Sequence, residues 1–205
     1  MLLVDGETIR MSNDGVDLEK RRFLTLATAG VGAVGAGFIA VPFLGSWNPS
    51  EKAKAGGAPV EFNLDKVEVG QMVKVKWRGK PVFVVRRDEK TLSALAKKSE
   101  GDELKDAHSE VKTQQPEYVD PINRSRKPEI AVIEGICTHL GCVPQHKKET
   151  EVDWGGGFFC PCHGSKFDLA GRVHSGSPAS TNLIVPPYHY LADNRILIGE
   201  DGGEA

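Results

Sequence analysis

The sequence predicts a mainly β domain, an antiparallel β-sandwich or open barrel, preceded by one N-terminal transmembrane helix. Three observations carry this expectation. Short apolar runs bounded by turn residues recur from Val60 to Ile198. A stretch of 22 residues, Phe23 to Leu44, lacks any charge. Four cysteines crowd between positions 137 and 162, each within three residues of a histidine. The chain has 205 residues, enough for one domain and an appendage. A formal net charge of −2 gives no reason to expect nucleic acid as a partner.

Residues 1–22 read as a leader that ends in Lys20, Arg21 and Arg22. Met11 offers an alternative start to Met1. The uncharged run at 23–44 would form a helix of ~33 Å, against about 30 Å of bilayer hydrocarbon. Positive charge at its front predicts a cytoplasmic N-terminus and places the downstream domain on the far side. Lys20-Arg21-Arg22-Phe23-Leu24 resembles a twin-arginine export signal, a route that moves folded proteins and suits a cofactor inserted before export. A cleaved signal is the alternative, with Ala53-Lys54-Ala55 as a small-x-small site. Retention as an anchor is favoured, because the apolar run exceeds the roughly 7–15 residues of a signal core. Residues 45–59, with Pro49, Gly56, Gly57 and Pro59, read as a flexible hinge linker.

The β domain is expected over 60–205. Val73, Val75 and Trp77 alternate with Lys74, Lys76 and Arg78, and Pro81 to Val85 follows Gly79, the pattern of a hairpin. Ile130 to Ile133 reads as a further strand. Tyr188 to Ile198 reads as a terminal hairpin turning at Asp193-Asn194. Between them, residues 86–128 are rich in charge and hold one aromatic, Tyr118, with a short helix expected over Thr91 to Lys98. They read as a surface insertion. A solvated excursion is favoured over an interaction surface. Trp154 with Gly155, Gly156 and Gly157 is expected to turn into the strand before the second cysteine pair.

The chemistry lies in two boxes, Cys137-Thr138-His139-Leu140-Gly141-Cys142 and Cys160-Pro161-Cys162-His163-Gly164-Ser165, separated by 17 residues. Each offers a thiolate and an imidazole at ligand spacing. Two Cys and two His suit tetrahedral zinc, which leaves two thiols idle beside the site. Four thiolates suit an ordinary iron–sulfur cluster, which leaves two histidines unused.

The paired boxes resemble those of Rieske proteins, and in particular the iron–sulfur subunits of quinol-oxidising cytochrome bc complexes. The resemblance covers most of the chain, from arginine-led anchor to a later loop at Gly176-Ser177-Pro178-Ala179. It implies one [2Fe–2S] cluster in a small subdomain at about 135–182. Cys137 and Cys160 would ligate one iron, and His139 and His163 the other. Cys142 and Cys162 would pair as a disulfide, which export permits. Neutral imidazoles in place of thiolates raise such centres to about −150 to +300 mV, against about −400 mV for all-cysteine plant-type ferredoxins.

The implied function is electron transfer. One electron, and a proton on His139 or His163, would come from ubiquinol docked at a cytochrome b subunit. The electron would pass to a c-type cytochrome subunit by movement of the domain on its tether. The implied setting is a dimeric complex in the lipid of a bacterial inner membrane, with the cluster domain periplasmic. The Rieske small subunit of a periplasmic oxidase such as arsenite oxidase is the alternative function, and a structural zinc domain is a third. Leu140 would sit at an exposed tip beside His139, with ordinary packing as its other reading. Gly141 and Gly164 would allow close backbone approach to the cluster. Ser165 would donate to a bridging sulfide and raise the potential. Ser180 stands where a second loop proline is common. Phe167 stands where many relatives carry a tyrosine bonded to a ligand sulfur, which implies a lower potential. His108, His146, His174 and His189 match no ligand position.

Overall fold

The computed structural model describes Gly15 and residues 17–203. The alternative starts Met1 and Met11 lie outside the described residues. The chain divides into two compact units at Ser50/Glu51.

The first unit is built on α1, Leu18–Ser46. It begins before the uncharged run because the Asp17 side chain accepts hydrogen bonds from the Glu19 and Lys20 N–H groups, both at 3.1 Å. Lys20, Arg21 and Arg22 therefore lie within its first two turns. Apolar residues occupy every face, Phe23, Leu26, Val31, Phe38 and Val41 among them, and none is buried by this chain. A helix apolar all round needs an apolar surround. Its length and composition suffice to cross a membrane. Pro42 removes one backbone bond near its C-terminal end.

The second unit begins with α2, Glu51–Gly56, so part of the stretch expected to be a flexible linker is helical. Three three-stranded antiparallel sheets follow. One has the order β1-β9-β8, from Val60–Asn63, Arg195–Ile198 and Tyr188–Ala192. The next has the order β2-β3-β4, from Met72–Trp77, Lys80–Arg86 and Ile130–Glu134. The last has the order β5-β6-β7, from Gln145–Lys147, Gly157–Phe159 and Lys166–Phe167. The β2–β3 turn is Arg78-Gly79, with φ of 48° and 76°, the two positive values a type I′ hairpin requires.

The middle sheet separates two cores. Side chains alternate across it, as the strand period demands. Val82, Val84, Ile130 and Val132 enter one core with Tyr188, Ile196 and Ile198. Phe83, Val85, Ala131 and Ile133 enter the other with Phe158, Phe167, Cys137 and Cys160. Burial on both faces explains why Val82 to Val85 is a continuous apolar run. The two candidate iron-ligating thiols thus belong to the second core.

The stretch 86–128 departs from a solvated excursion. It contains α3, Glu89–Ser99, which starts ahead of Thr91 because the Asp88 side chain accepts from the Thr91 N–H at 2.7 Å. Leu95, Leu104 and Val119 are buried, and so are Arg87 and Arg124. Arg124 is completely enclosed and donates to the carbonyls of Gln114, Ala170 and Gly171. Arg87 donates to those of Pro128, Asn123 and Leu169. A charge-rich composition is read as solvated surface, but guanidinium groups can be buried when backbone carbonyls take up their donors.

Candidate metal centre

Box one links β4 to β5 and box two links β6 to β7, so both emerge from strands that wall the second core. The two loops fold alike. The Cys137 N–H donates to the Cys142 carbonyl at 2.8 Å, and the Gly141 N–H to the Cys137 carbonyl at 2.9 Å. The Cys160 N–H donates to the Ser165 carbonyl at 2.8 Å, and the Gly164 N–H to the Cys160 carbonyl at 2.9 Å. Gly141 and Gly164, at φ of 83° and 80°, close these turns. A Cβ at either would meet no protein atom within 4 Å, so among protein atoms their φ, not close approach, is what calls for glycine.

This fold sorts the ligand candidates by depth. The Cys137 and Cys160 thiols are unbridged and each 2% exposed. His139 is half-buried and His163 exposed, their rings edge-on at 4.8 Å between centroids. Leu140 occupies the loop position that His163 occupies in box two, and at 71% exposure it is a tip rather than a packing residue. Cys142 and Cys162 form a disulfide that ties one loop to the other. Their sulfurs lie within 4.8 Å of the Cys160 sulfur. With both consumed by the bridge, only Cys137 and Cys160 remain as thiolate donors.

The donor set fits a [2Fe–2S] cluster held by two Cys and two His. The Nδ1 atom of His139 is buried without a hydrogen-bond partner, as an atom reserved for a metal would be. Burial pushes the Cys137 thiol above the ordinary value, partly opposed by hydrogen bonds from the His139 backbone and Ser165. Such a thiol ionises readily only beside a metal cation. Two buried thiols and two shallower imidazoles, with a disulfide between their loops, make a donor set that could hold iron.

Further residues complete the surround. The Ser165 hydroxyl is fully buried, within reach of the Cys137 sulfur, and accepts the Ala179 N–H at 3.0 Å. This brings the 176–179 loop against the thiols, and Ala179 shares their core. Thr138 donates to the Thr181 carbonyl at 2.6 Å. Beneath box two, Asp168 and Arg172 form a buried pair at 2.8 Å. Arg172 also reaches the carbonyls of Leu95 and Ala107 in the 86–128 stretch. Sequence reasoning singled out neither Thr138 nor this pair. Thr138 sits between two ligand candidates, a usable signal. Asp168 and Arg172 carry none until the chain folds. His108 is exposed and His189 half-buried, and His146 and His174 pack beside Phe158 and Trp154, outside the boxes.

Comparison with known proteins bears on the site directly. The family model described as "Rieske [2Fe-2S] domain" matches residues 59–189. The model described as "Ubiquitinol-cytochrome C reductase Fe-S subunit TAT signal" matches residues 11–50. The ubiquinol-cytochrome c reductase iron-sulfur subunit of Allochromatium vinosum is 52% identical over 210 residues, covering 100% of each chain. That of Blastochloris viridis is 40% identical over 188 residues, covering 92% of this chain and 97% of its own. A solved chain of a hyperthermophilic respiratory complex III has 26% identity and a TM-score of 0.43, covering 82% of this chain and 98% of its own.

Proposed function

Because this chain belongs to the Rieske iron–sulfur subunits of ubiquinol–cytochrome c reductase, we propose that Cys137, Cys160, His139 and His163 hold its [2Fe–2S] cluster. The chain is an electron-transfer subunit of that oxidoreductase, and the oxidase-subunit and zinc readings are set aside. The observation that carries the ligand assignment is the pairing of two buried, unbridged thiols with the orphaned Nδ1 of His139.

When bound, the cluster takes up and releases one electron at a time. The residues around it do the rest. With Nδ1 of His139 directed inward, its Nε2 faces outward, able to accept a hydrogen bond and then a proton from a quinol hydroxyl. His163, more exposed, offers the same chemistry. Leu140 gives the rim an apolar surface for a hydrophobic docking site. The disulfide and the buried Ser165 exclude water from the thiols.

The partners belong to the same reading: a cytochrome b subunit that presents ubiquinol, a c-type cytochrome subunit that receives the electron, and a dimeric complex in membrane lipid. Helix α1 would anchor the chain. Lys20, Arg21 and Arg22 favour a cytoplasmic N-terminus and hence a periplasmic cluster domain. Residues 45–59 would tether the domain as it moves between partners.

The test is electron paramagnetic resonance of the reduced chain with an iron count, alongside its copurifying subunits. A rhombic signal with two irons per chain, accompanied by b-type and c-type cytochromes, is the expected result. A silent chain, or one bearing a single zinc, would refute the ligand assignment.

A further inference from the structure

The 176–179 loop is short of the rigidity that a second proline would supply, because Ser180 occupies that place. The structure provides a constraint from elsewhere. The Lys105 ammonium donates to the Ser177 carbonyl at 2.6 Å and to the Ala179 carbonyl at 2.8 Å. These two carbonyls flank Pro178, so one cation grips the loop on both sides of its single proline.

Lys105 is itself held in place. Its N–H donates to the Val173 carbonyl at 3.0 Å, and the Ser175 N–H donates to the Glu103 carbonyl at 2.8 Å. Leu104 pairs with His174, and Val173 pairs in turn with Phe167 on β7. Residues 103–105 thus add an outer rung to the sheet from which box two emerges. Asn182, just beyond the loop, donates to the Asp106 carbonyl at 2.9 Å while its side-chain oxygen accepts from the Val173 N–H. The inner side of the loop is tied to the site through Ser165 and Ala179.

We propose that Lys105 is a positioning residue for the metal centre: its ammonium clamps the 176–179 loop over the Cys137 and Cys160 thiols and sets a fixed positive charge on that loop. The proposal rests on the cluster assignment made above. Hydrogen bonds from a charged donor are roughly twice as strong as neutral ones, so the clamp outweighs an ordinary turn contact. A cation beside the site also favours the more negative, reduced state, so its charge contributes to the potential.

The test compares Lys105→Met and Lys105→Arg with the unsubstituted chain in the intact membrane complex. Three quantities are read: the reduced paramagnetic spectrum, the midpoint potential, and the rate of cluster loss at mild acid or chelator exposure. Lys105→Met should broaden or shift the spectrum, lower the potential, and lose the cluster about tenfold faster, the order expected for losing charge-assisted bonds. Lys105→Arg retains charge and donors and should restore most of each. If Lys105→Met matches the unsubstituted chain in spectrum, potential and loss rate, the clamp is refuted. Absence of a rhombic signal from the unsubstituted chain would refute the ligand assignment instead.

Discussion

Phe167 lies fully buried opposite Phe158, in the core that holds Cys137 and Cys160. A hydroxyl added there would need a hydrogen-bond partner, and the candidate ligand sulfurs share that core. Phe167→Tyr should therefore raise the midpoint potential, read by redox titration of the paramagnetic signal. At 59 mV per tenfold change for one electron, even a modest shift is measurable, and an unchanged potential would remove the tuning role of this position. Asp168 governs a different quantity. It pairs with Arg172, and it is the largest charge opposing the desolvation of Arg87 and Arg124, whose guanidinium pKa values burial pulls to about 10. Asp168→Asn leaves that buried positive charge uncompensated and should cost about 3–5 kcal/mol, seen as a lower denaturation midpoint.

Among the elements, the two box loops depend on one covalent tie and on the strand that precedes box two. Replacing Cys142 and Cys162 with serine reopens a loop spanning 20 positions, a closure worth about 3 kcal/mol in the chain-entropy account. The expected result is a cluster that forms but is lost faster, monitored by the decay of its visible absorbance. Gly157 has a stricter requirement. Its φ is 134°, and a Cβ there would collide with the Phe167 carbonyl. Gly157→Ala should separate β6 from β7 and abolish cluster incorporation, whereas Gly79→Ala, in open space at the β2–β3 turn, should cost only turn strain.

Across the whole molecule, stability and motion are the measurable properties. Burial holds His146 and His174 below the ordinary imidazole value. The unfolded chain binds protons at these positions that the folded chain resists. Their contribution is therefore intact above about pH 6.5 and is lost as the pH falls through the folded values. Denaturation midpoints between pH 5 and 8 should drop on the acid side, and the drop should shrink in His146→Gln/His174→Gln. The hinge is tested by prolines at Ala53 and Ala55. Electron delivery to the c-type cytochrome should slow while the cluster signal persists, and unchanged turnover would argue against a moving tether.

Local chemistry is the part most legible along the chain. The candidate anchor can be read because 22 uncharged residues are long enough to cross a bilayer, and the boxes because ligand spacing is set by a few bonds. The β2–β3 and β8–β9 hairpins declare themselves through alternation and turn residues. By contrast, the buried anchors within the stretch 86–128 are not legible in its charge-rich composition. Arg87, Arg124 and Lys105 look like solvated charge until Leu169, Ala170, Gly171, Ser177 and Ala179 present their carbonyls from more than seventy positions away, or nearly fifty for Arg124. By itself the sequence determined the candidate donors for iron and the segment long and apolar enough to cross a membrane, because both depend on neighbours in the chain. Tertiary structure alone decided how deep each candidate ligand lies and what holds the covering loop, because burial and long-range hydrogen bonds exist only once distant segments pack.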